Sequence, residues 1–168
     1  MFKRINARHP LLLPILIVLV FLIACFDYFS SRYVIAYNKA ISDCLYSRAF
    51  LIDTWDKTIN EGELIAFEMN VANEFYAPGM VWVKRVAAHG SKTVMVTPES
   101  VDSATSHYNL SAKYVLRKLH KSQDELQSTW ALADDELFMI GETLTSYDSR
   151  FWGPIKINDV KGRAYALF

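Results

Sequence analysis

The chain has 168 residues and a mass of 19.3 kDa, enough for one folded domain with a real core once an N-terminal segment is set aside. Its 18 basic and 18 acidic side chains cancel, so no overall field favours nucleic acid or acidic lipid, and nucleic-acid binding has no support. After the N-terminal segment there is no Gly-rich phosphate loop and no His-x-x-x-His or Cys-x-x-Cys spacing, so catalysis without a cofactor or metal is the expectation.

In chain order, Lys3, Arg4 and Arg8 precede Leu11 to Phe26, a run apolar throughout except for Pro14. A basic start followed by an apolar run reads as a single membrane span with its N-terminus cytoplasmic and the rest of the chain outside the cytoplasm. Pro10 and the aromatic stretch from Phe26 to Phe29 extend the run into the interface. Two other readings share this pattern. A cleaved signal peptide would need a small-x-small site, and none is clear after Phe21. Lipidation would use Cys25, because Leu22-Ile-Ala-Cys25 resembles a lipidation box. Cys25 lies in this span and Cys44 beyond it, so no disulfide forms within the soluble part.

The expected division is therefore 1–29 as basic tail and anchor, and 30–168 as the extracytoplasmic domain. Residues 30–38 mix β-branched and aromatic side chains and suggest a strand, as does Ala49 to Asp53. Glu61-Gly-Glu-Leu-Ile-Ala-Phe-Glu-Met69 leaves a turn and enters another strand. Pro78-Gly79 marks a turn, Met80 to Ala87 the next strand, and His89-Gly90-Ser91 turns into Thr93 to Thr97, a hairpin pattern. From Asn109 to Trp130, the residues Val115, Leu116, Leu119, Leu126 and Trp130 recur at helical spacing with charges on the other faces, which predicts an amphipathic helix. Asp134-Asp135-Glu136 then leads into a buried strand, Leu137 to Gly141.

Two further segments carry chemistry. One is Val81-Trp-Val-Lys-Arg-Val86, a basic pair inside an apolar run. The other is Met139-Ile-Gly-Glu-Thr-Leu-Thr-Ser-Tyr-Asp-Ser-Arg-Phe-Trp-Gly-Pro154. Together they resemble the boxes of membrane-bound type I signal peptidases, where a Lys-Arg box supplies the general base. A second box, G-[DE]-x-x-x-x-S-x-D-S-R-x-x-G, surrounds it, and Gly141, Glu142, Ser146, Asp148, Ser149, Arg150 and Gly153 fit that spacing. Thr143 departs from the Asn that many members carry. The resemblance implies a mostly β signal-peptidase-like domain with one N-terminal transmembrane helix and a small helical insertion, the variable cap at about 101–133.

A lysine is a general base only if burial draws its pKa from about 10.4 toward neutrality, roughly three units or about 4 kcal/mol. Val81, Trp82, Val83 and Val86 can supply the wall around Lys84, while Arg85 points to the opposite face of a strand. The resemblance implies that Ser146 orients this base, that Asp148 and Arg150 pair to stiffen the loop, and that Ser149 and Gly153 shape the turn around Gly141.

For the nucleophile, mainstream members carry Ser-Met-x-Pro, and the conjugative-transfer TraF-type branch carries roughly T-x-S-x-P-x-G-x-[YF]. Laid on Ser42-Asp-Cys-Leu-Tyr-Ser-Arg-Ala-Phe50, the second pattern puts Cys44 on the nucleophilic serine, with Tyr46 and Arg48 at its Pro and Gly. Ser42 is the alternative nucleophile, but Asp43 would then follow it, and a carboxylate there opposes a developing oxyanion. A thiol ionises far more readily than a hydroxyl and would form a thioester, open to water or to an amine. His89 and His107 read as surface residues.

The function implied is a bacterial inner-membrane serine/cysteine-lysine peptidase that cleaves, or cyclises, an exported conjugative pilin precursor in type IV secretion. Its partners would be the pilin precursor, membrane lipid and other secretion proteins. The alternatives are a general leader peptidase and a catalytically inactive assembly subunit.

Overall fold

The structure, a computed structural model, describes residues 12–37, 44–72 and 76–168. The chain divides between Tyr33 and Val34 into two compact units. The first contains α1 (Leu12–Arg32), 21 residues long and sufficiently apolar to cross a membrane. The helix continues six residues beyond Phe26, so the strand expected at 30–38 begins only with β1 (Tyr33–Tyr37). Lys3, Arg4 and Arg8, which carry the expectation about orientation, lie outside the described residues.

The second unit is mostly β. It continues with β2 (Ala49–Asp53), β3 (Leu64–Met69), β4 (Met80–His89), β5 (Thr93–Val96), β6 (Ser100–Ser103) and β7 (His107–Asn109). A short helix, α2 (Lys113–Lys118), is followed by β8 (Ser128–Ala131), β9 (Glu136–Ile140), α3 (Ser149–Trp152), β10 (Ile155–Lys156) and β11 (Val160–Ala166). One sheet of seven strands runs in the order β1-β2-β11-β3-β4-β9-β10, and a second of four runs β7-β6-β5-β8.

Alternation along the strands explains how the large sheet is buried. Phe138 and Ile140 of β9 join Ala88, Val94, Val96, Val101, Leu116 and Leu126 in a cluster beneath the second sheet. Leu137 and Met139 face the other way, into a cluster with Ile65, Phe67, Val86, Trp152 and Ile155. A strand covered on both faces reads as a continuous apolar run, and Leu137 to Ile140 is one.

Two expectations are corrected here. The predicted hairpin of β4 and β5 does not form, because the strands belong to different sheets: β4 pairs with β3 and β9, and β5 with β6 and β8. The long helix from Asn109 to Trp130 is only six residues, Lys113–Lys118. His120, at φ 53°, turns the chain out of the helix, with His120 N–H donating to the Arg117 carbonyl at 3.3 Å and Lys121 N–H to the Leu116 carbonyl at 3.0 Å. That pair of bonds is a Schellman stop. Trp130 instead lies in β8 opposite Val94, so the insertion is chiefly β, and the 3.6-residue spacing of its apolar side chains arises from separate elements meeting one core.

Candidate active site

The site is built on β4, β9 and the loop that follows β9. Lys84 lies on β4 opposite Ile65 of β3, in the row of Trp82 and Val86, which belong to one apolar cluster. Its side chain is 1 % exposed, among the largest fully buried ones. The Trp82 ring faces it, with Nζ 5.6 Å from the ring centroid. Val81, expected in this wall, is exposed at 55 %, because it points to the opposite face of the strand.

After β9 the chain turns back so that Ser146, Asp148 and Ser149, all fully buried, sit against the strands. Lys84 Nζ donates to Ser146 Oγ at 2.9 Å, and Ser146 Oγ donates to Asp148 Oδ2 at 2.7 Å. The order of donation has a physical cause. An ionised carboxylate only accepts, so the single serine proton is committed to Asp148 and the serine lone pairs face Lys84. Held in this way, the Lys84 amine gives one N–H to Ser146, which fixes its direction in the site.

Asp148 is held by a bidentate contact from Arg150, whose Nε reaches Oδ1 at 2.8 Å and Nη2 reaches Oδ2 at 2.8 Å. Both side chains are wholly buried. Burial pushes the Asp148 carboxyl up, but the charge and hydrogen bonds of Arg150, the Lys84 amine and the Gly141 N–H together hold it below the ordinary carboxylate range. Arg150 Nη1 also donates to the Leu110 carbonyl at 2.7 Å, tying the site to the loop between β7 and α2. Nothing in the local sequence at Leu110 signals this contact.

The remaining residues of the second box set its backbone. Ser149 Oγ accepts from Met139 N–H at 2.9 Å, and Gly141 N–H donates to Asp148 Oδ2 at 3.0 Å. Gly153 takes φ +85° against the Trp130 ring, a conformation that favours glycine. At Gly141 the constraint is space. A Cβ there would collide with the Ser146 side chain and lie 2.6 Å from the Cys44 carbonyl oxygen.

That contact brings Cys44 to the same place. Its carbonyl accepts from Glu142 N–H at 2.8 Å, and the residue is partly exposed. Glu142 further accepts from Tyr46 N–H at 3.0 Å through Oε2 and pairs with Arg85 through Oε1. The structure thus gathers Lys84, Ser146, Asp148, Ser149, Arg150, Gly141 and the Cys44 backbone, with Gly153 at the far end of the loop. Ser42 lies outside the described residues. His89 ends β4, and His107 pairs on the surface with Asp102. The roles of Glu142 and Arg85 in linking the segments were missed from sequence, although both stand in the two boxes. An acidic residue beside Gly141 and a basic one beside Lys84 were the available signal.

A buried amine oriented by a serine and a buried ion pair can serve as the base of an acyl transfer without a metal, given a nucleophile within its reach. The profile of the family described as signal peptidase, peptidase S26, matches residues 8–168. A crystal structure of a signal peptidase I from Enterococcus faecalis V583 aligns at 16% identity, covering 67% of this chain and 99% of that one, with a TM-score of 0.43. No curated protein matches.

Proposed function

Because this chain belongs to the signal peptidase family S26, we propose that it is a member of the conjugative-transfer TraF-type branch. In this reading it is anchored by α1 in the bacterial inner membrane with its second unit in the periplasm, and matures an exported pilin precursor. The observation that carries the catalytic reading is the buried Lys84 bonded to Ser146, with the Cys44 carbonyl bonded to the residue next to Gly141.

The mechanism follows from these groups. Lys84 Nζ takes the Cys44 thiol proton as sulfur attacks the scissile carbonyl. The tetrahedral intermediate collapses to a thioester, and the leaving amine departs with the proton held by Lys84. The freed lysine then activates water, which completes hydrolysis, or the N-terminal amine of the same pilin attacks the thioester and closes the chain. An amine is a strong competitor for a thioester, which favours ligation over hydrolysis where an amine is held nearby.

The test is the intact mass of the candidate pilin from cells carrying the wild type, Cys44→Ala, Ser42→Ala or Lys84→Ala. Precursor accumulating with Lys84→Ala and Cys44→Ala but not with Ser42→Ala is expected. A mature mass lacking one water would add cyclisation. Precursor accumulating with Ser42→Ala but not with Cys44→Ala moves the nucleophile to Ser42. Unchanged pilin in all three variants would make the chain an assembly subunit, and loss of processing across many unrelated exported proteins would make it a general leader peptidase.

A further inference from the structure

We propose that Glu142 is a positioning residue for Cys44, a carboxylate that clamps the segment bearing the nucleophile to the strand bearing the base. The proposal rests on the Cys44–Lys84 reading above. The described part of that segment, from Cys44 to Arg48, belongs to no strand, and β2 begins only at Ala49. Beside the bond from Arg48 N–H to the Phe168 carbonyl at 2.7 Å, two contacts to Glu142 hold it, and a third ties Glu142 to β4. Glu142 N–H donates to the Cys44 carbonyl at 2.8 Å, Glu142 Oε2 accepts from Tyr46 N–H at 3.0 Å, and Oε1 pairs with the Arg85 guanidinium.

Arg85 is the neighbour of Lys84 on β4, and its other arm donates to the Gly62 carbonyl. Lys84 and Arg85 point to opposite faces of the strand, so one face presents the base while the other grips the loop that must meet it. The Glu142 side chain is 16% exposed, shielded enough for a charge-assisted contact to hold geometry. Glu142 is not placed to touch the reacting atoms. It acts through the Cys44 segment.

Position 46 gives this clamp its specific use. The Tyr46 side chain is 79% exposed, so the residue is held through its backbone N–H. The pattern that places Cys44 on the nucleophile carries proline at 46, which stiffens a chain through its ring and has no N–H to donate. In this protein the hydrogen bond to Glu142 replaces the ring as the source of rigidity.

The probe is iodoacetamide on the full-length protein in detergent, in a Cys25→Ser background, with alkylation at Cys44 followed by peptide mass. In this reaction the thiol proton passes to Lys84, sulfur forms the new bond to carbon, and iodide leaves. Lys84→Ala is expected to slow alkylation about tenfold, because the thiolate is the reacting form. Glu142→Ala should slow it by a similar factor. Glu142→Gln, which keeps an oxygen for Tyr46 N–H but loses the ion pair with Arg85, should react at a rate between those of the parent and Glu142→Ala. In a Tyr46→Pro background the two Glu142 variants should react at equal rates, since no N–H remains to be held. Slow alkylation in Lys84→Ala with the parental rate in Glu142→Ala would overturn the clamp and leave the catalytic reading standing. An unchanged rate in Lys84→Ala would overturn that reading itself.

Discussion

Lys84 Nζ meets Ser146 Oγ at 2.9 Å across 62 positions of chain, and both side chains are at most 1% exposed. A buried amine with one committed hydrogen bond is costly to the fold, and its presence here favours chemistry over stability. The costs and gains of its surroundings can be separated by substitution.

Lys84→Met keeps most of the length of the side chain and removes the amine, while Ser146 keeps its bond to Asp148. Stability should hold or rise by about 1 kcal/mol, since an apolar side chain removes the desolvation cost of a buried amine. Processing should fall by about 10³ or more with the base gone. A thermal melt and the intact mass of the candidate precursor proposed above check the two parts. A large loss of stability would show the amine to be a structural member.

Asp148→Ala leaves the Arg150 guanidinium buried without its carboxylate. The expected loss is about 3–5 kcal/mol, read as a lower denaturant midpoint, and activity should disappear with the fold. A variant that melts like the wild type would remove Asp148 from the structural account.

The same carboxylate sets a pH dependence. Its pKa is lowered in the folded chain from the ordinary value of 3.8, so the unfolded state binds the proton more readily. The stability it contributes is fully present above the unfolded value and lost as the pH falls through the lower folded value. The stability difference between wild type and Asp148→Asn should therefore be constant near neutral pH and shrink below about pH 4. Urea midpoints from neutral pH to about pH 3 measure it, and a difference that grows on acidification would contradict the assignment.

Gly141→Ala places a methyl group against the Ser146 side chain and the Cys44 carbonyl. Overpacking of this kind costs about 1–3 kcal/mol, and because the displaced groups belong to the site, alkylation of Cys44 should change along with the melting temperature. Unaltered reactivity would mean that the loop relaxes away from both.

Ser149→Ala removes the oxygen that accepts Met139 N–H at 2.9 Å. A buried amide left without a partner costs about 1–3 kcal/mol. The melting temperature should drop while processing persists at permissive temperature. Loss of processing in a folded variant would give Ser149 a closer part in catalysis than bracing β9.

Much of this protein was legible in its residues. The apolar run into α1, the strand at Leu137 to Ile140 and the order of turns follow from local periodicity, because burial of one face or two leaves a pattern readable along the chain. The two boxes announced the family through residue types at fixed spacing, and Lys84, Ser146, Asp148 and Arg150 stood in them. Other features depended on contacts between distant segments. The apolar positions from Val115 to Trp130 lie at helical intervals, yet Leu116 belongs to a six-residue helix, and Trp130 to a strand pairing with Val94, since a shared core attracts apolar side chains from any element. Arg150 reaching the Leu110 carbonyl, and Glu142 joining Tyr46 to Arg85, link segments whose separation is set by the sheet. Local propensity determined which elements could form. Only the packing of β4, β9 and the loop after β9 decided which polar groups met, because a buried donor or acceptor takes its partner from whatever the fold brings within reach.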